Sequence, residues 1–409
     1  MDLLVARTVA LLVIAMLVAI GARRCNLPYT VGLVVCGFFL ALLRLGADYP
    51  LTHDLIFTVI LPPLLFEAAF NIPWRKLRAD FGLVMTLTIC GVIVSAAVVS
   101  TGMATVAGWP ARSALVFGVL IAATDPVAVI AMFKDNHVSG RLRLLVESES
   151  LFNDGVAAVL FVLALAWAEG NPITLAVTVK GVALSAGGGI AVGLFCGAAA
   201  IILAGRISDH LIETALSVAA AYGSFLLAEH IHASGVMATV ATGLLMGNLT
   251  MGEGGPTAWL SPSGKAFLAN VWNFAAFIAN SLVFLLIGQA VAGLPFSLKS
   301  GTTIAIAILF VLIGRFLSVY PVCLPFRNQV QAVPLREQHV LWWGGLRGAL
   351  ALALALALPR RLPFHDEIVT TTFGVAAFSI VVQGLSMPSL LRRLGFLPPR
   401  QAGAQKPPR

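Results

Sequence analysis

Charged residues are scarce in this sequence, and their scarcity decides the class of protein. Only 11% of the 409 residues are Asp, Glu, Lys or Arg, whereas a soluble domain carries about 25%. With 59% hydrophobic residues and a mean hydropathy of +0.95, the chain is an integral membrane protein. Long polar stretches are also missing, which leaves no room for a soluble domain of any size.

Paired cysteines and metal-binding motifs are absent as well. The five cysteines show no paired spacing, so a disulfide framework is not expected. No His-Glu-x-x-His sequence and no plausible nucleophile–base pair is evident, so neither a zinc site nor an intramembrane hydrolase is favoured. We therefore expect a protein that is not an enzyme and requires no cofactor.

Apolar segments predict an all-α membrane protein with about thirteen transmembrane helices. A hydrocarbon core about 30 Å thick requires about 20 apolar residues for each helical crossing. We predict a single membrane domain over residues 1–397, followed by a short disordered tail at 398–409. The predicted spans cover residues 3–21, 28–45, 53–70, 80–102, 112–132, 141–168, 174–204, 211–230, 232–250, 266–292, 299–321, 336–358 and 366–391.

The net charge of +8 is distributed unevenly between the two sides of the membrane. With the N-terminus outside, 17 of the 26 Lys and Arg residues fall in cytoplasmic segments and five in external ones. Such an excess follows the positive-inside rule and predicts an odd number of crossings with a cytoplasmic C-terminus. The charge thus indicates orientation in the cell (inner) membrane, and no nucleic-acid partner is expected.

The predicted sixth span contains a costly group of polar side chains. Glu147, Glu149, Asn153 and Asp154 lie within eight residues, and one charge at the centre of a spanning helix costs about 2.5–3.5 kcal/mol. Membrane anchoring requires none of them, so an ion or proton site is the primary hypothesis. The alternative is a buried polar network that holds two helices together.

Asp154 is the strongest candidate in this group. It shares a helix face with Ser150 and Glu147, and burial disfavours the charged form of a carboxyl group. One carboxylate can then hold either a proton or a cation, and coupled exchange requires only that competition. For Glu147 a role in the ion site and a role in a structural network are equally favoured, because it lies near the predicted cytoplasmic entrance.

The predicted fifth span is interrupted at Thr124-Asp125-Pro126. Proline removes a backbone donor and clashes with the carbonyl four residues back, which opens the helix near Ala122. Freed carbonyls beside Asp125 would form an oxygen-rich site for a hard cation. The alternative is a proline kink in which Asp125 only caps the second half-helix.

The predicted twelfth span is interrupted in a similar way. Three glycines in Gly344-Gly345-Leu346-Arg347-Gly348 weaken the helix, and the permanent charge of Arg347 requires a buried anion, for which Glu149 is the candidate. Snorkelling of Arg347 to an interface is the alternative. Seven crossings separate the two interrupted spans, so they run in opposite directions. This arrangement predicts two inverted six-helix repeats with broken helices crossing at the midplane, as in secondary transporters.

These motifs together resemble the monovalent cation–proton antiporters, in the branch of animal sodium/proton exchangers and their bacterial and archaeal relatives. The motifs occur in the family's order and cover most of the chain. They are Leu61-Pro62-Pro63 with Phe66-Glu67, Ala123-Thr124-Asp125-Pro126, Glu149-Ser150-Leu151-Phe152-Asn153-Asp154-Gly155, His232-Ala233-Ser234-Gly235 and Gly344-Gly345-Leu346-Arg347-Gly348.

The resemblance implies a homodimer with a scaffold and a mobile core around residues 80–168 and 299–391. It implies that Asp154 carries the cation or proton. Asn153 would hold the broken helices in register, its pairing with Asp154 implies electroneutral one-for-one exchange, and Glu149 would pair with Arg347. The cation, sodium or lithium, would also contact Asp125, Ser150, the Thr124 backbone and Glu67.

The sequence is compatible with two other functions. Oxygen ligands do not fix the size of the ion, so potassium/proton exchange is the first alternative. A cation channel is the second, although channels favour rings of ligands along a continuous pore, whereas the polar residues here converge at one depth.

Overall fold

The computed structural model describes residues 2–24, 28–43, 52–135, 138, 140–171, 174–205, 209–250, 262–294 and 297–397. In this part of the chain the secondary structure is helical and no strand is formed beyond one isolated bridge. The predicted tail at 398–409 lies outside the described residues. The helices are α1 (Asp2–Arg24), α2 (Tyr29–Leu42), α3 (Leu61–Asn71), α4 (Trp74–Thr105), α5 (Ala111–Leu120), α6 (Val127–Asp135), α7 (Arg141–Ala168), α8 (Leu175–Ala204), α9 (His210–His230), α10 (Gly235–Thr250), α11 (Pro262–Ala292), α12 (Leu298–Cys323), α13 (Leu335–Trp343), α14 (Ala349–Leu356), α15 (His365–Phe378) and α16 (Gly384–Arg393).

Seven helices of the described chain are long and apolar enough to cross a bilayer, and several shorter apolar helices accompany them. The seven include α4, α7 and α11. The division within residues 211–250, the least marked one in the sequence, is present, because α9 ends at His230 and α10 begins at Gly235. The all-helical membrane fold predicted from composition is confirmed.

A π-helical turn, Leu55–Ile60, precedes α3 where the sequence predicted one uninterrupted helix. Pro62 and Pro63 follow this turn and have no backbone N–H to donate, so the regular hydrogen-bond ladder cannot continue across them. In a regular α-helix the Val59 carbonyl would accept the N–H of residue 63, which Pro63 does not have. The hydroxyl of Tyr222 on α9 supplies the donor instead, at 2.9 Å.

The buried apolar side chains form two main clusters. The larger one joins α4, α5 and α7 to the later helices α12–α14 and α16. The second joins α1, α2 and α11 to α14 and α15. Since α14 contributes to both clusters, the broken crossing that it belongs to lies between them. That position places the interrupted segments in the interior of the bundle.

Candidate ion-binding site

The first interruption lies between α5 and α6, at residues 121–126. Helix α5 ends at Leu120 and α6 begins at Val127, as the proline at position 126 predicted. The carbonyls of Ala122, Ala123 and Thr124 lose their helical donors here, and polar side chains from other elements replace them. In this first break the backbone therefore offers oxygen atoms deep inside the protein.

The second interruption lies between α13 and α14, at residues 344–348. The backbone of this break forms hydrogen bonds with two buried side chains of a π-helical turn, Ser379–Gln383. The Arg347 N–H donates to Ser379 Oγ at 3.0 Å. Gln383 Nε2 donates to the Trp343 carbonyl at 3.2 Å. The second break is thus supported by polar groups that are themselves at most 3% exposed.

The two breaks cross each other. The Asp125 N–H donates to the Leu346 carbonyl at 2.7 Å, and the two residues form an antiparallel bridge. The predicted crossing of two interrupted helices is confirmed.

The Asp125 carboxylate caps both half-helices that begin at the crossing. Its Oδ1 accepts the N–H of Val127, the first residue of α6, at 2.9 Å. The carboxylate also lies near the N–H of Ala349, the first residue of α14. A negative charge is favourable at a helix N-terminus. Both the capping role and the cavity-lining role considered for Asp125 are therefore present.

Gly348 makes this double cap possible. A Cβ atom at position 348 would lie 1.8 Å from Asp125 Oδ2, well inside van der Waals contact. Gly345 is needed for a similar reason, since its Cβ would lie 2.6 Å from Arg315 Nε. The glycines that weaken the helix in the sequence therefore also admit two charged side chains.

Helix α7 places three polar side chains against the first break. Ser150 donates a short hydrogen bond from its hydroxyl to the Thr124 carbonyl. Asn153 Nδ2 donates to Thr124 Oγ1 at 2.8 Å and to the Ala122 carbonyl at 3.3 Å. Asp154 is one residue further on, and its carboxylate forms no hydrogen bond with any residue in the described part of the chain.

All five residues predicted to bind the ion line one cavity of about 1070 Å³: Glu67, Thr124, Asp125, Ser150 and Asp154. Glu67 lies on α3, where its Oε1 accepts a hydrogen bond from Asn71 Nδ2 at 2.9 Å. The five residues predicted from the sequence therefore lie together in one cavity.

Arg143, Glu147 and Arg392 line the cavity where α7 begins and α16 ends. We call this part the mouth, because Arg143 and Glu147 are partly exposed whereas Thr124 and Ser150 are buried. Arg143 Nε donates to Glu147 Oε1 at 2.8 Å, so the charge of Glu147 is paired within its own helix. The deep end is made by the crossing, and the mouth is flanked by basic residues.

The predicted pairing of Glu149 with Arg347 is wrong. Glu149 is bound by both arms of Arg315 on α12, with Nη1–Oε1 at 2.7 Å and Nη2–Oε2 at 3.0 Å. This two-armed geometry suits a carboxylate. Arg347 instead donates from Nη1 to the carbonyls of Ala122 and Ala123, both at 3.1 Å, because the first break leaves those carbonyls without donors.

Two features of the site were missed in the sequence. Arg315 lies within an apolar span, and its buried charge was the signal that it needed a carboxylate of its own. Asn280 on α11 lines the cavity, but a single amide in an apolar helix gave no motif to follow. The arrangement as a whole is that of a secondary transporter: a multi-pass helical membrane protein with a cavity that ends at two crossed, broken helices and an acidic residue.

The chain belongs to the sodium/hydrogen exchanger family, whose transmembrane-domain model matches residues 9–393. It is 37% identical over 383 residues to the Na(+)/H(+) antiporter ApNhaP of Aphanothece halophytica, covering 91% of this chain and 70% of that one. It is 33% identical to the Na(+)/H(+) antiporter NhaH of Halobacillus dabanensis, covering 95% and 97% of the two chains. The fold is similar to that of the sodium proton antiporter MjNhaP1 of Methanocaldococcus jannaschii, with a TM-score of 0.73 at 19% identity, over 97% of this chain and 100% of that one.

Proposed function

We propose that this protein exchanges sodium for protons across the cell membrane, one for one and without net movement of charge. Relatives covering nearly the whole chain bear the name Na(+)/H(+) antiporter. The observation that carries the proposal is the Asp154 carboxylate, which lines the cavity next to the crossing and has no hydrogen-bond partner in the described chain. Asn153 stands where charge-moving relatives would carry a second aspartate, which supports electroneutral exchange.

Asp154 binds either a proton or a cation, but not both. The cation replaces part of its hydration shell with the Asp154 carboxylate, the Thr124 carbonyl, the Ser150 hydroxyl oxygen and Asp125. The Ser150 hydroxyl donates its hydrogen to the Thr124 carbonyl, and both oxygens retain lone pairs that can face the ion. Since the two ligands compete, the apparent KM for sodium rises as the pH falls.

Exchange follows when the loaded site changes the side to which it opens. The crossing and α7 belong to the mobile core, around residues 80–168 and 299–391, while the remaining helices form the scaffold of a homodimer. The basic residues at the mouth support a cytoplasmic opening, with the N-terminus outside and the C-terminus inside. No cofactor takes part in this cycle.

The test is proton flux in proteoliposomes, followed with a pH-sensitive dye. We expect sodium or lithium gradients to drive saturable proton movement that a membrane potential does not change. The same rate with potassium would favour potassium/proton exchange, and ion flux without a counter-gradient would favour a channel.

Asp154→Asn is the decisive variant within this test. It keeps the size of the side chain but can neither bind a proton reversibly nor supply a negative charge, so exchange should be lost entirely. The protein should still be inserted and elute from a sizing column as the unaltered chain does. Sodium-driven proton flux at the unaltered rate in this variant contradicts the proposal.

A further inference from the structure

Helix α11 presents a polar stripe to the cavity that the ion-site residues do not include. Asn273, Ala276, Phe277 and Asn280 line the cavity, at the spacing of one helix face. The opposite side of α11 is apolar and packs in the cluster with α2 and α15. The two amides are therefore the polar groups that this helix presents to the cavity that contains Asp154.

Asn280 is the deeper of the two and is only 9% exposed. Its amide forms no hydrogen bond with any described residue. An amide buried without a partner loses its hydration and gains nothing in return, and an apolar side chain would avoid that cost. Because Asn280 lines the cavity, a polar ligand that passes through the cavity can take the place of the missing partner.

Asn273 is exposed and lies about 10 Å from Asn280 along the helix axis, at about 1.5 Å per residue. Its Nδ2 donates to the Ala269 carbonyl on its own helix at 2.8 Å, which leaves Oδ1 as the atom free to meet an ion. Asn273 and Asn280 thus mark two depths of the same wall.

We propose that Asn273 and Asn280 bind the sodium ion transiently through their amide oxygens on its way between the cavity mouth and Asp154. Asparagine carbonyl oxygens are ordinary ligands of hard cations. They are neutral, so they bind the ion without competing for the exchanged proton. At the mouth the negative charge of Glu147 is offset by Arg143, and neutral oxygens on the facing wall supply ligands where the basic residues supply none.

This inference depends on the proposed sodium/proton exchange, and it makes a separate prediction. Removal of a neutral ligand weakens sodium binding by the same factor at every pH. A change that disturbed Asp154 would alter the pH profile as well. The signature of the asparagine stripe is therefore a higher apparent KM for sodium, with the maximal rate and the pH profile retained.

The experiment compares Asn280→Leu, Asn280→Gln and Gln289→Leu with the unaltered chain in proteoliposomes, at two pH values. Asn280→Leu should raise the apparent KM for sodium about fivefold and keep the maximal rate within about twofold. Asn280→Gln retains an amide oxygen and should restore most of the affinity. Gln289 is on the same helix but does not line the cavity, so Gln289→Leu is the matched control and should not change KM. Asn273→Leu should have a smaller effect than Asn280→Leu.

An unchanged KM in Asn280→Leu, or an equal rise in Gln289→Leu, overturns the inference. If Asn280→Leu does not yield a folded protein, Asn280→Ala is assessed by the same criteria. Failure of the unaltered chain to exchange sodium for protons would refute the proposed function itself, and not only the role of the asparagines.

Discussion

The two breaks are similar in sequence position but differ in what surrounds them. The first break places Thr124 and Asp125 on the wall of the cavity, whereas only Gly348 of the second break lines it. Side chains of α7 and of Arg347 donate hydrogen bonds to the backbone of the first break. The buried side chains of Ser379 and Gln383 form hydrogen bonds with the backbone of the second break. The first break is therefore the ligand-bearing element, and the second supports it.

The strongest test of these two roles is Gly348→Ala. Gly348 belongs to the second break and packs directly against Asp125 of the first break. The new methyl group would lie 1.8 Å from Asp125 Oδ2 and 2.3 Å from its Cβ. Overpacking of this kind displaces side chains or backbone, so we expect exchange to fall at least about tenfold. Sodium-driven proton flux measures the effect.

The matched control is Gly223→Ala on α9, where a Cβ would meet no atom within 4 Å. This change should leave exchange unaltered and stabilise its helix slightly. Equal activity of the two variants would show that the second break tolerates displacement and does not hold Asp125 in place.

The second largest effect is expected at the ion pair behind the crossing. Arg315→Met removes both arms that bind Glu149 and leaves a buried carboxylate unpaired, at a cost of about 3–5 kcal/mol. We expect a lower Tm of the purified protein. Combining Arg315→Met with Glu149→Gln should recover part of the lost stability, because no unpaired charge remains. A double variant less stable than Arg315→Met argues against a pair whose members depend on each other.

The finest test separates stability from ion affinity by two serine changes. Ser379→Ala leaves the Arg347 N–H without its acceptor, so we expect a loss of about 1–3 kcal/mol in stability and an unchanged KM for sodium. Ser150→Ala removes a hydroxyl from the cavity and the donor to the Thr124 carbonyl, so it should raise that KM about fivefold and lower the Tm as well. Thermal unfolding and proton flux on both variants measure the four quantities. The reverse assignment of effects would exchange the roles of the two breaks.

The fold and most of the site could be predicted because their signals are local in sequence. Pro126 and the glycines around Arg347 mark where the helices must open, and polarity in an apolar span marks Asp154 and Ser150. The partner of Glu149 could not be predicted in this way. Arg315 and Arg347 are both single charges in apolar spans, and only the relative rotation of α7 and α12 decides which one faces Glu149. The double capping by Asp125 was likewise hidden, because Ala349 is distant in the sequence.

The hydrogen bond from Asp125 to Leu346 joins two segments separated by more than two hundred positions. Leu346 is only 2% exposed, so separating the segments would leave its buried carbonyl without a donor. In the proposed exchange cycle the two crossed segments should therefore move as one block that includes Asp125. Open forms facing either side of the membrane should retain this bond and differ where α7 slides past α3 and α11.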